Sequence, residues 1–202
     1  MPASPTSRER LWLAFVNADA LASFDRLLAW MHAAGVLDAD RHASIGRRAT
    51  LQPAAAAAAL VDARRMHAAL RAFADRGAAD ADVRLASAVE INRVLGRSTG
   101  VRRLERTPTG GWRRTFATVG DAFAGLLLPV AESAADALIS NEILRVRRCA
   151  SPSCGRVFLD QSRGGRRRWC AMSTCGNRSK VRALRARRRP ARAEPSRTRT
   201  AA

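Results

Sequence analysis

The chain has 202 residues, enough for one substantial domain and a small module, and its 47% hydrophobic content can bury a core, which excludes wholesale disorder. Its net charge is +19, a surplus that packing does not require and that points to a polyanionic partner. No stretch approaches the roughly 20 apolar residues of a membrane-spanning helix, and the polar start Met1–Arg10 has no apolar segment. A cytoplasmic protein with no membrane partner is therefore expected.

In chain order, Leu11-Trp-Leu-Ala-Phe-Val-Asn17 is a short apolar run that suits either a strand or a helical turn. Ser23 is a helix N-cap, followed by Phe24, Leu27, Leu28, Trp30 and Met31 at helical spacing, with Gly35 as the stop. Asp40 is expected to cap a short helix reaching about Ile45. Pro53 opens a long helix whose stripe is Leu60, Val61, Ala63, Met66, Leu70 and Phe73, ending at Gly77. Asp80 or Asp82 opens the next, with Val83, Leu85, Val89, Ile91, Val94 and Leu95, ending near Gly96. The period then changes, and Val101–Arg106 and Trp112–Thr118 around Thr107-Pro-Thr-Gly-Gly111 read as a β-hairpin. Residues 121–140 are helical again, with Pro129 restarting or kinking the helix, and Ile143–Arg148 is a short extended stretch.

Charge divides the chain unevenly. Residues 141–202 hold 18 Arg or Lys against 3 Asp or Glu, whereas residues 1–140 hold 18 against 14. Lys180 is the only Lys, which with the abundant Ala marks a GC-rich coding bias. Bias explains Arg in place of Lys, but not the shortage of acidic residues. The predicted organisation is a helical domain over 11–140, a basic module over 141–189 and a disordered basic tail over 190–202.

All four Cys lie in the basic module, spaced Cys149-x4-Cys154-x15-Cys170-x4-Cys175. Two short loops that each supply two thiolates suit tetrahedral zinc, although x4 is at the upper edge of the usual gap. Pro152 stiffens the first loop, and Gly164-Gly165 turns the connecting arm back. Val157, Phe158, Leu159 and Trp169 are the module's only apolar cluster, too little to order some thirty residues without a metal. The alternatives are buried thiols, two disulfides, an iron site or a thiol redox switch; the spacing and the cytoplasmic setting favour one structural zinc ion.

Beyond Cys175 a helix is predicted to Arg189. Arg178, Arg182, Arg185 and Arg189 share one stripe, Lys180 lies nearby, and Arg166, Arg167 and Arg168 add a second patch. Arg is suited to bidentate contact with phosphate and guanine, which makes this a candidate nucleic-acid face. Val181 and Leu184 are expected to pack on Trp169 and Phe158, and Asn177 to cap the helix.

Arg167-Arg-Trp-Cys-Ala-Met-Ser-Thr-Cys-Gly-Asn-Arg178 followed by Lys180, with Cys149-x4-Cys154-Gly155, Phe158, Asp160 and Ser162 upstream, resembles the CGNR zinc finger over roughly 143–188. Leu13-Ala-Phe-Val-Asn17, Trp30 before Gly35-Val-Leu37 and the order of elements are similar to the ABATE domain of stress-induced bacterial transcription regulators. The resemblance implies Cys149, Cys154, Cys170 and Cys175 as zinc ligands and a DNA-binding regulator of transcription. The acidic-Arg-Gly-rich run that often follows the Asn is replaced here by Ala18-Asp-Ala-Leu21, so no ligand role passes to that loop.

The helical part holds no catalytic set. His32, His42 and His67 fall in separate predicted helices, and there is no phosphate loop, nucleophile elbow or metalloprotease motif, so no enzyme is expected. Trp12, Trp30 and Trp112 are expected in the core. The reading is a mainly α (α+β) protein: a helical domain with a β-hairpin that senses a small-molecule effector or forms a homodimer, then a four-cysteine zinc finger that ends in a basic helix and contacts DNA, in the cytoplasm at the nucleoid. RNA is the less favoured partner, because the aromatic-rich platform of a single-strand binder is missing. An enzyme with its site among the helices is a further alternative.

Overall fold

The computed structural model describes residues 10–19, 21–77, 79–97, 100–106, 110–118 and 123–188; Arg189 and the tail over 190–202 lie outside them. The first apolar run is helical, α1 (Leu11–Val16), with Leu11, Trp12, Phe15 and Val16 buried. Ser23 caps α2 (Phe24–Ala33), its side chain accepting from the Arg26 N–H at 3.2 Å, and Gly35 follows in the left-handed region at φ +73°.

α3 (Ala39–Leu51) differs from the expected short helix at both ends. Asp38, not Asp40, is the cap, accepting from the Arg41 N–H at 2.8 Å. The helix runs on until Gln52, whose φ −131° and ψ 61° reflect the clash that the following proline imposes on the residue before it. Pro53 then starts α4 (Pro53–Arg76), a 24-residue helix that contacts α1, α2, α3 and α5. Ala63, Met66, Leu70 and Phe73 of the expected stripe are buried, while Val61 faces solvent.

Asp80 starts α5 (Ala81–Arg97), accepting from the N–H groups of Asp82 and Val83 at 3.0 and 3.1 Å. Its buried face is Ser87, Glu90, Ile91 and Val94, and Leu85 and Val89 point outward, against the sequence expectation. Glu90, 5% exposed, is held by Arg65 at 2.8 Å and Arg93 at 2.6 Å, and Arg93 also reaches Asp62 at 2.8 Å. A carboxylate with such partners avoids the cost of an unpaired buried charge, so Glu90 can share the buried face with Ile91 and Val94 of the expected stripe.

β1 (Gly100–Arg106) and β2 (Trp112–Thr118) form the predicted antiparallel hairpin, with Arg106 opposite Trp112 at the closed end. The turn residues 107–109 and the Trp112 side chain lie outside the description. Pro129 sits in the first turn of α6 (Leu128–Ile139), which packs on α1 and α5, so the proline starts this helix. A 3-10 turn (Glu142–Arg145) precedes β3 (Val146–Arg148), which pairs antiparallel with β4 (Val157–Leu159).

One apolar core runs from the helices into this second sheet. Trp12, Phe15, Met31, Met66, Leu70, Phe73 and Val130 share it with Ile143, Val146, Val157 and Leu159. Of the four apolar residues expected to form the Cys module's own core, Val157 and Leu159 join this main core, and Phe158 and Trp169 form a small second cluster with the cysteines. Successive strand residues face opposite ways, so Val157 and Leu159 turn to the helices. Phe158, between them, turns to Cys149, Cys175 and the partly buried Trp169.

Candidate metal centre and nucleic-acid face

The strand pair and the turn before the last helix bring the four Cys together. Cys149 follows β3, Cys154 closes a tight turn through its N–H to the Ser151 carbonyl, and the Cys149 N–H donates to Arg156 across the loop. Cys170 and Cys175 come from the other side, Cys175 within a π-helical turn (Met172–Gly176). Gly176 is buried there, and a Cβ in its place would collide with the Met172 sulfur.

The four Sγ atoms lie within 4.8 Å of one another. Cys154 to Cys170 is 3.8 Å and Cys170 to Cys175 is 3.7 Å. Tetrahedral zinc with Zn–S bonds of about 2.3 Å spaces its sulfurs about 3.8 Å apart, so the donor set fits the ion in number, type and spacing. The thiols' own chemistry agrees. Burial alone would push Cys149 up, but backbone N–H groups of Cys170 and Ser151 and the neighbouring thiols bring it down to about 7. Burial first, then the neighbouring thiols and the Cys149 charge, push Cys170 up to about 12. Without a cation the cluster cannot hold four thiolates; a divalent ion removes that conflict.

A buried carboxylate shapes the arm between the pairs. Asp160, with no exposed surface, accepts from the Ser162 N–H at 2.9 Å, the Ser162 hydroxyl at 2.6 Å and the Arg167 N–H at 2.9 Å. Those bonds, led by the Ser162 hydroxyl, hold its carboxyl below the usual range. They close the Ser162–Arg167 loop, in which Gly165 takes φ +60°. Arg167 then lies over the Phe158 ring at 4.9 Å and donates to the carbonyls of Trp169 and Cys170. Of the predicted nucleic-acid residues, it is thus the one whose guanidinium is used to fasten the Cys170 loop.

Helix α7 (Asn177–Arg188) leaves the second Cys pair and has the preceding turn as its main contact. Arg178, Lys180, Arg182 and Arg185 are exposed on it, as are Arg166 and Arg168 on the loop, and among the described residues none forms an ion pair. Arg178, Arg182 and Arg185 line one open groove of about 690 Å³ with Ser173, Thr174 and Asn177. Arg189 falls outside the description. Two expectations fail here. Val181 and Leu184 are 47% and 51% exposed, because Phe158 is already covered by Arg167 and the cysteines. Asn177 is not a cap: it has helical φ −64° and ψ −43°, and its amide donates to the Ser173 carbonyl at 3.2 Å.

The helical part holds this module firmly. The Asn17 amide donates to the carbonyls of Leu13 at 2.9 Å and Val157 at 2.8 Å, and its oxygen accepts from the Val157 N–H at 2.9 Å. Arg71 of α4 donates to the Gly155 carbonyl at 2.7 Å, and Arg10 reaches Gln161 at 3.4 Å. Sequence reasoning gave the side chains of Asn17, Arg71 and Arg10 no role: their partners in the finger lie at least 84 positions away, and of the three only Asn17 stood in a quoted motif.

The CGNR zinc finger model matches residues 145–188, and the ABATE model, described as "Putative stress-induced transcription regulator", matches residues 9–141. The chain belongs to the ABATE family and carries a CGNR zinc finger. No curated protein matches it by sequence. The two matches leave only residues 142–144, within the 3-10 turn, between them, and the family described is one of "putative" regulators rather than enzymes. The cofactor of this finger is zinc, and the four clustered Cys are placed to bind one ion. Among the described residues no helix is long and apolar enough to cross a membrane.

Proposed function

We propose that this chain is a zinc-dependent, DNA-binding regulator of transcription. Cys149, Cys154, Cys170 and Cys175 are the four zinc ligands, and the bound ion neutralises their thiolates and fixes the finger. The cationic stripe of Arg178, Arg182 and Arg185 carries the reading: among the described residues it has no acidic partner, it lines one groove, and it is rooted at a Cys of the metal site. Lys180, Arg166 and Arg168 extend the face, and Arg167 positions the Cys170 loop; Arg189, also expected to contact nucleic acid, lies outside the described residues. Such a helix lies along phosphates or in a major groove, with Arg forks available to phosphate and guanine. The helical domain senses a small-molecule effector or forms a homodimer that presents two fingers to one site. The protein acts in the cytoplasm, at the nucleoid.

Fluorescence anisotropy with a random duplex, on zinc-loaded and chelated protein, tests this. We expect about 5–8 phosphate contacts and a loss of orders of magnitude in affinity between roughly 50 and 200 mM salt. Arg182→Gln with Arg185→Gln lowers the log–log salt slope by about 2. No binding at low salt by zinc-loaded protein would overturn the reading; equal or tighter binding of single-stranded RNA would move the function to RNA.

A further inference from the structure

A cavity of about 390 Å³ lies between α2, the first half of α4, the end of α5 and the turn over 123–127. Leu27, Val94, Phe123 and Leu127 form an apolar wall, and Ala55 and Ala59 of α4 leave the space open. Its size falls at the small end of the range of small-molecule sites. One end is polar, lined by Asp62, Arg93 and Arg97.

These charges are unequally held. Arg93 is fully engaged, with Glu90 at 2.6 Å and Asp62 at 2.8 Å. Among the described residues Arg97 reaches only Asp62, at 3.5 Å, a carboxylate already shared with Arg93, and its side chain is 64% exposed. With Arg93 satisfied by Glu90 and Asp62, Arg97 keeps only the longer, shared contact to Asp62, and this largely exposed guanidinium lines the apolar cavity. An Arg fork in that position matches a carboxylate in geometry and charge.

We propose that this cavity is a binding site for a small amphipathic monocarboxylate, its apolar body against Leu27, Val94 and Phe123 and its carboxylate on Arg97. The site deepens the sensing half of the proposed function and rests on it. Its position suits that role. α4 lines the cavity as far as Asp62, and nine residues on, about 14 Å along the helix axis, Arg71 holds the finger at Gly155. Cavity and finger thus share one helix.

Isothermal titration calorimetry on the zinc-loaded full chain, without DNA, tests the site with octanoate, octan-1-ol and octylammonium as probes, at about 150 mM salt. Because DNA is absent, failure here is distinguishable from failure of DNA contact. The expected result is one octanoate per chain, with octylammonium weaker by about tenfold or more. Ala59→Leu, which fills the space, abolishes octanoate binding. Arg97→Gln, at an exposed position that does not endanger folding, weakens octanoate about tenfold while octan-1-ol changes by less than about twofold. Arg47→Gln, an exposed cation on α3, leaves all three unchanged. Absence of octanoate binding would overturn the proposal. So would octylammonium binding as well as octanoate, or octanoate binding that Arg97→Gln leaves intact, which would assign it to the basic surface at large.

Discussion

Replacing Asn17 by Ala removes three hydrogen bonds at once, two of which tie the finger strand β4 to the end of α1. A net contribution of about 1 kcal/mol per bond gives about 2–3 kcal/mol in total. The full penalty for unmet buried groups does not apply, because Asn17 is only half-buried and water reaches the vacated positions. That loss corresponds to a fall in Tm of about 4–12 °C for a domain of this size, and to roughly thirty-fold or more in the equilibrium that docks the finger. Urea unfolding followed by circular dichroism, together with zinc transfer to a coloured chelator, measures both consequences. The expected outcome is lower stability and zinc release at lower urea. Asn17→Asp should do no better at neutral pH: it keeps an acceptor for the Val157 N–H but sets a carboxylate against two carbonyls. A change below about 0.5 kcal/mol with unaltered zinc release, well inside the effect of an ordinary surface substitution, would refute the account of Asn17 as a clasp.

Other perturbations reach the same architecture from different directions. Cys170→Ser should lower bound zinc from one ion to none, read by elemental analysis. Because Val146, Val157 and Leu159 belong to the helical core, it should also lower the melting temperature of the helices rather than of the finger alone. Gly176→Ala should cost less than about 1 kcal/mol and leave zinc retention close to the parent's, because its Cβ meets only the Met172 side chain, which is 48% exposed and can turn aside; zinc transfer to a coloured chelator checks it. His67 donates to the Val16 carbonyl at 3.1 Å, and burial, aided by Arg71, lowers its pKa despite that bond. Its stabilisation is complete above the free-histidine value of about 6.5 and is lost as pH falls through the lower folded value. Equilibrium unfolding across pH should show that decline, and His67→Gln should flatten it.

Local chemistry was legible in the sequence where a feature depends on neighbours a few residues away. The Ser23 cap, the Pro53 and Pro129 starts, the hairpin and the paired Cys spacing each need only short-range geometry, and each stands in the structure. The α5 face was misread because the pattern of Leu85 and Val89 looks amphipathic in isolation. Burial went instead to Glu90, whose partners Arg65 and Asp62-bound Arg93 come together only when α4 and α5 pack. The outward face of Val181 and Leu184 escaped notice for a related reason: their expected partner Phe158 is occupied by Arg167, placed there by a loop closed on Asp160.

By itself, then, the sequence determined a metal-binding Cys cluster on a basic, mainly helical chain, because thiolate spacing, charge density and helical periodicity are written along the chain. Tertiary structure alone decided that the finger is part of the main core. Strand alternation sends Val157 and Leu159 one way and Phe158 the other, and Asn17 clasps a strand 140 residues away. It alone also left the cavity beside Arg97, since a void is a property of how packed elements fail to fill space, and no single stretch of chain encodes it.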